Sequence, residues 1–334
     1  MRTGPRRTTL ADVAAAAGVS TALVSIVMRN APGASPASRA RVLEQAERLG
    51  YRPDSRARLL RSDRSRLLGV VFGVQDAFHG DVVTGLYDAA SRAGYELTLS
   101  AFTPGRDEHR AIGSLLQDRC EALILLSHTS PVRELAELAA RMPTVVLMRP
   151  VRDRAVDVVR TDDRRGLHQA VDHLVELGHR RIAHIDGARA LSSADRRRGY
   201  REAMRRHGLT AAIQVLPGGP LDDDGTVAAR ELLADPPTAI TVFNDRSATG
   251  VLDTLRRAGL DVPGDISVVG YDDSSVARFR HVALTTVAQD AATLTELAVQ
   301  RAIDRIEGQP VQHRELIVPP HLVIRGTTGP PRRA

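Results

Sequence analysis

The chain has 334 residues, 43% apolar and 26% charged, enough for two or three soluble domains with sizeable cores. No apolar run approaches the ~18 residues of a membrane span, and the basic N-terminus leads into Thr8-Thr9 rather than the apolar stretch of a secretory signal. A lone cysteine, Cys120, excludes an intrachain disulfide framework and fits a small buried hydrophobe in a reducing cytoplasm. Charge is unevenly placed. The first 66 residues hold 13 arginines against five acidic residues, while the whole chain is only +6, so a basic head precedes a slightly acidic body. That is the footprint of a nucleic-acid-binding module joined to something else.

The head reads as three short helices. Thr9-Leu-Ala-Asp12 forms a capping box for a first helix through Leu10, Val13, Ala14 and Ala17, which Gly18 ends. Ser20 caps a second helix with Val24 and Val27 on one face, and Ser35-Pro36 starts a third that stops at Gly50. The small Ala14, the turn at Gly18 and the apolar junction of Val13, Val19, Val24 and Val27 meet the steric needs of a helix-turn-helix, with Thr21, Ala22, Ser25 and Ile26 facing outward. An arginine-rich linker follows at residues 53–66. From Leu67 onward, buried strands at 67–72, 95–99, 122–126 and 144–148 alternate with amphipathic stretches. The pattern repeats at 181–185, 213–216, 239–243 and 266–270. This predicts an α/β fold: a helix-turn-helix head, then a two-lobed, doubly wound parallel-sheet core with its ligand site at the carboxyl ends of strands. Residues 326–334, without periodicity, predict a disordered tail.

Several motifs together resemble the LacI/GalR family of bacterial regulators: Thr9-Leu-Ala-Asp-Val-Ala, Ala17-Gly-Val-Ser20, Gly50-Tyr-Arg-Pro53, Ala57-Arg-Leu-Leu60, Leu177-Gly-His-Arg-Arg-Ile182, Arg198-Gly-Tyr200, Phe243-Asn-Asp245, Val262-Pro-Gly-Asp-Ile-Ser-Val-Val-Gly270 and Tyr271-Asp-Asp273. The resemblance covers almost the whole chain. It implies a head at 1–52, a hinge helix at 53–66 and a periplasmic-binding-protein-like core at 67–325, its N-lobe at 67–161 and 288–318 and its C-lobe at 162–287 and 319–325. It also implies a cytoplasmic homodimer that acts as a repressor and binds a near-palindromic double-stranded operator under the control of a cleft ligand.

By the same resemblance Leu60 falls where a hinge leucine wedges into the minor groove, an unstacking that lets the duplex bend around more protein; packing against a partner hinge remains a second role for it. Ala57 sits small beside it, and Arg56 and Arg58 lie along phosphates, giving affinity without sequence information. Thr9, Ser20, Arg29, Ser35, Ser38 and Arg39 are further positioning residues. The reading helix departs from the family pattern. Many members carry arginine where this chain has Ile26 and threonine where it has Leu23, so a bidentate guanine contact from position 26 is impossible.

Effector-binding candidates follow the strands: Asp76, Phe78, Ser127 and Arg149 in the first lobe; Asp162, Arg196, Asn244 and Asp272 in the second lobe and crossovers. An arginine among aspartates and an asparagine suits a sugar or related polyhydroxylated ligand, though Arg196 is equally able to grip a carboxylate or phosphate. Asp162 is equally a helix cap, and a turn-forming role is the lesser alternative for Asp272. With no tryptophan, a sugar face stacked on indole is excluded. Asp222-Asp-Asp-Gly225 lacks the later ligands of a calcium loop and reads as a helix start. No Walker loop, dinucleotide fingerprint or metal spacing appears, so neither a cofactor nor an enzyme is expected. A soluble sugar-binding protein without regulatory role is the alternative, disfavoured by the basic head.

Overall fold

The computed structural model describes residues 8–28, 31–51, 64–153 and 155–332. The chain divides into two compact units between Ser65 and Arg66. The first contains helices α1 (Leu10–Ala17), α2 (Thr21–Met28) and α3 (Pro36–Arg48). Their ends are set locally. Asp12 donates its backbone N–H to Thr9 Oγ1 at 3.3 Å, and Thr9 N–H reaches Asp12 Oδ2 at 2.7 Å. Gly18, at φ 63°, takes the left-handed conformation that closes α1. Ser20 Oγ accepts from Leu23 N–H, and Ser35 Oγ from Ser38 N–H, each at 3.2 Å. Val13, Ala14, Val24, Val27, Val42 and Ala46 form the small core.

The second unit holds two six-stranded sheets. In the first, β1 (Leu67–Gly73), β2 (Glu96–Phe102), β3 (Ala122–Leu126), β4 (Thr144–Leu147), β5 (Asp157–Thr161) and β11 (Glu315–Val318) run parallel in the order β11-β5-β4-β3-β1-β2. The second contains β6 (Ile182–Ile185), β7 (Gln214–Leu216), β8 (Ala239–Val242), β9 (Ser267–Asp272), β10 (Thr285–Ala288) and β12 (His321–Val323), in the order β12-β10-β9-β8-β6-β7. There only β12 is antiparallel to its neighbour, β10. Strands covered on both faces read as unbroken apolar runs, as Ala122–Leu126, buried throughout, illustrates.

Helices α4 (Ala77–Arg92) and α11 (Ala291–Ile306) cover one face of the first sheet, and α5 (Glu108–Gln117) and α6 (Val132–Ala139) the other. Helices α7 (Asp163–Glu176) and α8 (Ser193–Arg206), then α9 (Asp222–Leu232) and α10 (Asp245–Arg257), cover the two faces of the second sheet. The chain crosses between lobes after β5, after β10 and after β11.

Two expectations need correction. The final segment is not a disordered tail: Thr327 exchanges hydrogen bonds with Val268 at 2.8 and 2.7 Å, and Gly329 O accepts from Ser267 Oγ at 3.0 Å, tying the segment to the second sheet. Strands β5, β10, β11 and β12 were not among the expected eight. They are short, and β11 and β12 lie at sheet edges, where two of four and one of three residues are exposed.

Helices α9 and α10 meet backbone to backbone. A Cβ on Gly250 would lie 1.9 Å from Asp222 O, and one on Gly225 1.9 Å from Ser247 O. Gly250→Ala should therefore cost roughly 3 kcal/mol in urea unfolding, because backbone cannot yield as a side chain does.

Candidate functional site

Between the lobes lies a cavity of about 430 Å³, walled by residues at or just beyond the ends of β1 to β4 in the first lobe and β6 to β9 in the second. Its size is that of a small-molecule site. Three strands end in non-glycine residues with left-handed backbone at this cavity: Ser127 (φ 47°), Met148 (φ 68°) and Asp272 (φ 109°). Such conformations cost on the order of 1–3 kcal/mol each and persist where the surroundings enforce them, commonly at binding sites.

Five of the eight sequence candidates line the cavity: Asp76, Ser127, Arg196, Asn244 and Asp272. Arg196, on α8, is buried at the floor. Its Nε bonds Asp163 Oδ1 at 2.9 Å, Nη1 bonds Phe243 O at 2.5 Å, and Nη2 approaches Asp272 Oδ1 at 3.3 Å. The guanidinium also stacks on Tyr271, 3.6 Å from its ring centroid. Burial disfavours the arginine's charge, but the two carboxylates outweigh it and hold the group firmly protonated. Burial pushes Asp272 well above the usual carboxylate range, against the pull of Arg196. Asn244 caps α10, accepting Ser247 N–H at 2.8 Å while its amide donates to Pro220 O at 3.2 Å. Asp76 caps α4 through Phe78 N–H at 2.9 Å.

The other three candidates lie elsewhere. Phe78 points into the first lobe's core with Val82 and Leu86, at helical spacing on the buried face of α4. Its neighbour His79 faces the cavity instead, with Nε2 3.1 Å from Ser127 Oγ and Nδ1 2.9 Å from Gly73 O. Arg149 donates to the carbonyls of His128 and Ser130, the latter at 3.2 Å, and so braces the loop after β3 from outside the lining. Asp162 caps α7, accepting Arg165 N–H at 3.2 Å.

Sequence reading missed His79, Thr129 and the apolar walls Phe102, Met148, Leu191, Leu221 and Phe243. It also missed Gln289, which bridges the crossovers: its Oε1 accepts from Thr161 Oγ1 at 2.6 Å, and its Nε2 donates to Asp272 Oδ1 at 2.8 Å. Beneath the cavity loop, Glu108 accepts from the backbone and hydroxyl groups of both Thr129 and Ser130 at 2.8–3.2 Å and lies 2.8 Å from His128 Nδ1. Burial alone would raise its pKa, but the hydrogen bonds from His128 and Thr129 overcome this and hold it at about 2.

On the head, Thr9, Ser20, Thr21, Ala22 and Ser35 are exposed, whereas Ser25, Ile26, Ser38 and Arg39 are half-buried. Ile26 lies under Gly33, and Arg39 donates to Ala31 O at 2.8 Å, bracing the loop before α3. The hydroxyls of Thr9, Ser20 and Ser35 serve as helix caps. Arg29, Arg56, Ala57, Arg58 and Leu60 lie outside the described residues.

Residues 9–54 match the description of bacterial regulatory proteins of the lacI family, and residues 171–328 that of a periplasmic binding protein-like domain. The HTH-type transcriptional regulator GalR of Escherichia coli K12 is 34% identical over 333 residues, covering 97% of this chain and 96% of GalR. The chain belongs to the LacI family of transcription regulators. Among solved structures, the CelR–cellobiose complex matches with a TM-score of 0.71 at 31% identity, over 96% of this chain and all of that one. The lac repressor dimer bound to operator and the anti-inducer ONPF matches with a TM-score of 0.80 at 28% identity, over 97% and all. As in that family, the basic three-helix head is the DNA-binding module. No single helix among the described residues is long and apolar enough to cross a membrane.

Proposed function

We propose that this LacI-family member is a cytoplasmic, homodimeric transcriptional repressor whose affinity for a near-palindromic operator is set by an uncharged sugar or related polyhydroxylated effector held between its lobes. The pairing of Arg196 with both Asp163 and Asp272 carries this reading. The one buried cation in the cavity is already neutralised, Asp76 adds a further carboxylate, and the other lining arginine, Arg189, is exposed. A phosphorylated sugar would find no unpaired buried cation there, whereas hydroxyls can both donate to Asp76 and Asp272 and accept from Arg196 and Asn244. Phe102, Met148 and Phe243 supply apolar surface for a ring face. The cellobiose held by CelR and the operator held by the lac repressor dimer support the two ligand classes. A palindromic site requires two heads, which supports the dimer.

Thr21, Ala22, Ser25 and Ile26 on α2 are the base-reading set in this proposal, with Thr9, Ser20, Ser35, Ser38, Arg29 and Arg39 positioning the head, and the hinge residues Arg56, Ala57, Arg58 and Leu60 engaging the central step. The test is selection of bound sequences from random duplex DNA by the full-length protein, with and without neutral sugars and their phosphorylated counterparts. Two half-sites whose recovery responds to a neutral sugar are expected. A response confined to phosphorylated sugars overturns the charge argument, and absence of any enriched site overturns the regulator reading. In the same assay Ile26→Arg should shift the half-site toward guanine; an unchanged preference would show that position 26 does not face the bases.

A further inference from the structure

A second cavity, of about 600 Å³, opens where β5 and β11 of the first lobe meet α7 and α8 of the second. It shares no lining residue with the cleft cavity. Its character is also different, because five arginines line it: Arg152, Arg160, Arg164, Arg165 and Arg198. The cleft holds a single buried arginine with two carboxylates of its own.

The acidic residues of this second lining are largely committed. Glu315 holds Arg160 at 2.6 Å, Glu202 faces His168 at 3.3 Å, and Asp162 accepts the backbone N–H of Arg165. Asp195 is shared loosely between Arg164 at 3.4 Å and Arg198 at 3.9 Å. The side chains of Arg152 and Arg165 have no hydrogen-bond or ion-pair partner among the described residues, and both are exposed. Two unpaired guanidinium groups plus two more sharing one carboxylate form a concave array of planar donors. That is the arrangement that recognises phosphate oxygens in a bidentate manner.

We propose that this flanking cavity binds a small phosphate-bearing anion, making it a second ligand site separate from the cleft. Its position gives it a route to the first site. Asp163 and Arg164 are neighbours at the start of α7, and Arg196 and Asp195 are neighbours on α8. Arg196, which lines the cleft, pairs with Asp163, and the charge-reversed pair beside it, Arg164 and Asp195, lines the second cavity. An anion that draws Arg164 and Arg198 from Asp195 acts on the same two helices that hold the cleft arginine.

The test uses the full-length protein and inorganic pyrophosphate, read by titration calorimetry and thermal unfolding against sodium chloride at matched ionic strength. Saturable binding and a rising midpoint are expected. Arg152→Gln with Arg165→Gln, both at exposed positions that leave the cores intact, should weaken that binding by about tenfold or more. Asn244→Ala, in the cleft, should leave it unchanged. Three results overturn the proposal: no saturable binding, a midpoint shift that sodium chloride reproduces, or binding that persists in the double variant and so belongs to other cationic surface such as the head.

Discussion

Arg196→Met should lose cleft-ligand binding and also destabilise the second unit by about 4 kcal/mol at neutral pH, because removing one member of a buried charge cluster strands the others. Asp163 and Asp272 are both buried, and each has Arg196 as an ion partner. Methionine restores volume but no charge, so those carboxylates must take up protons to remain buried. The sign of the pH dependence follows. Burial already raises Asp272, and losing Arg196 removes the positive charge that pulls it down, so in the variant its charged form costs more and that cost grows as pH rises. The deficit measured by urea unfolding should therefore be larger at pH 8 than at pH 5. Adding Asp163→Asn to Arg196→Met should recover part of the loss, a coupling that a cavity-only role for Arg196 does not produce. Equal deficits at both pH values, with no recovery in the double variant, would contradict the cluster. Since the head has its own core, its DNA contacts should survive in a variant that no longer answers the effector.

The same cluster shows what the sequence makes legible. Arg196 sits within Arg196-Arg-Arg198, a run that by composition alone is a solvated face; only the resemblance singled it out, and the packing of α8 on α7 then buries it. The helix-turn-helix was legible residue by residue because its signals are local: Thr9 with Asp12, Gly18 at the turn, Ser20 and Ser35 as caps. Phe78 and His79 were confused because assigning them needs the rotational phase of α4 at its first turn. The spacing of Val82 and Leu86 fixes that phase only once the core is known. Gln289 and Glu108 act through partners 128 and 17 positions away, Thr161 and Asp272, and through a loop 21 positions on, and no short motif marks such relations. The terminal segment lacks periodicity because it is held by isolated hydrogen bonds to β9 rather than by a patterned face.

Glu108→Gln should weaken the protein and its effector response together, and its acid behaviour separates this from a general packing defect. Glu108 does not line the cleft; it accepts from Thr129 and Ser130 and so fixes the loop that carries Ser127 and Thr129 into the cavity. An amide offers one acceptor where the carboxylate offers two, and its NH2 would face the N–H groups of Thr129 and Ser130. With a folded value of about 2 against an ordinary 4.5, the carboxylate's contribution is fully present above pH 4.5 and is lost as pH falls through about 2. That shift corresponds to about 3 kcal/mol. Urea unfolding at pH 7 should show the variant less stable by about that amount, and the gap should narrow steadily between pH 4.5 and 2, where the parent protein surrenders the same interaction. Effector affinity, measured by calorimetry at pH 7, should fall by about tenfold as Ser127 and Thr129 lose their fixed geometry. Operator binding without effector should be unchanged. A variant whose deficit is constant across that pH range would instead mean that Glu108 contributes through its volume in the fold and not through its charge on the loop.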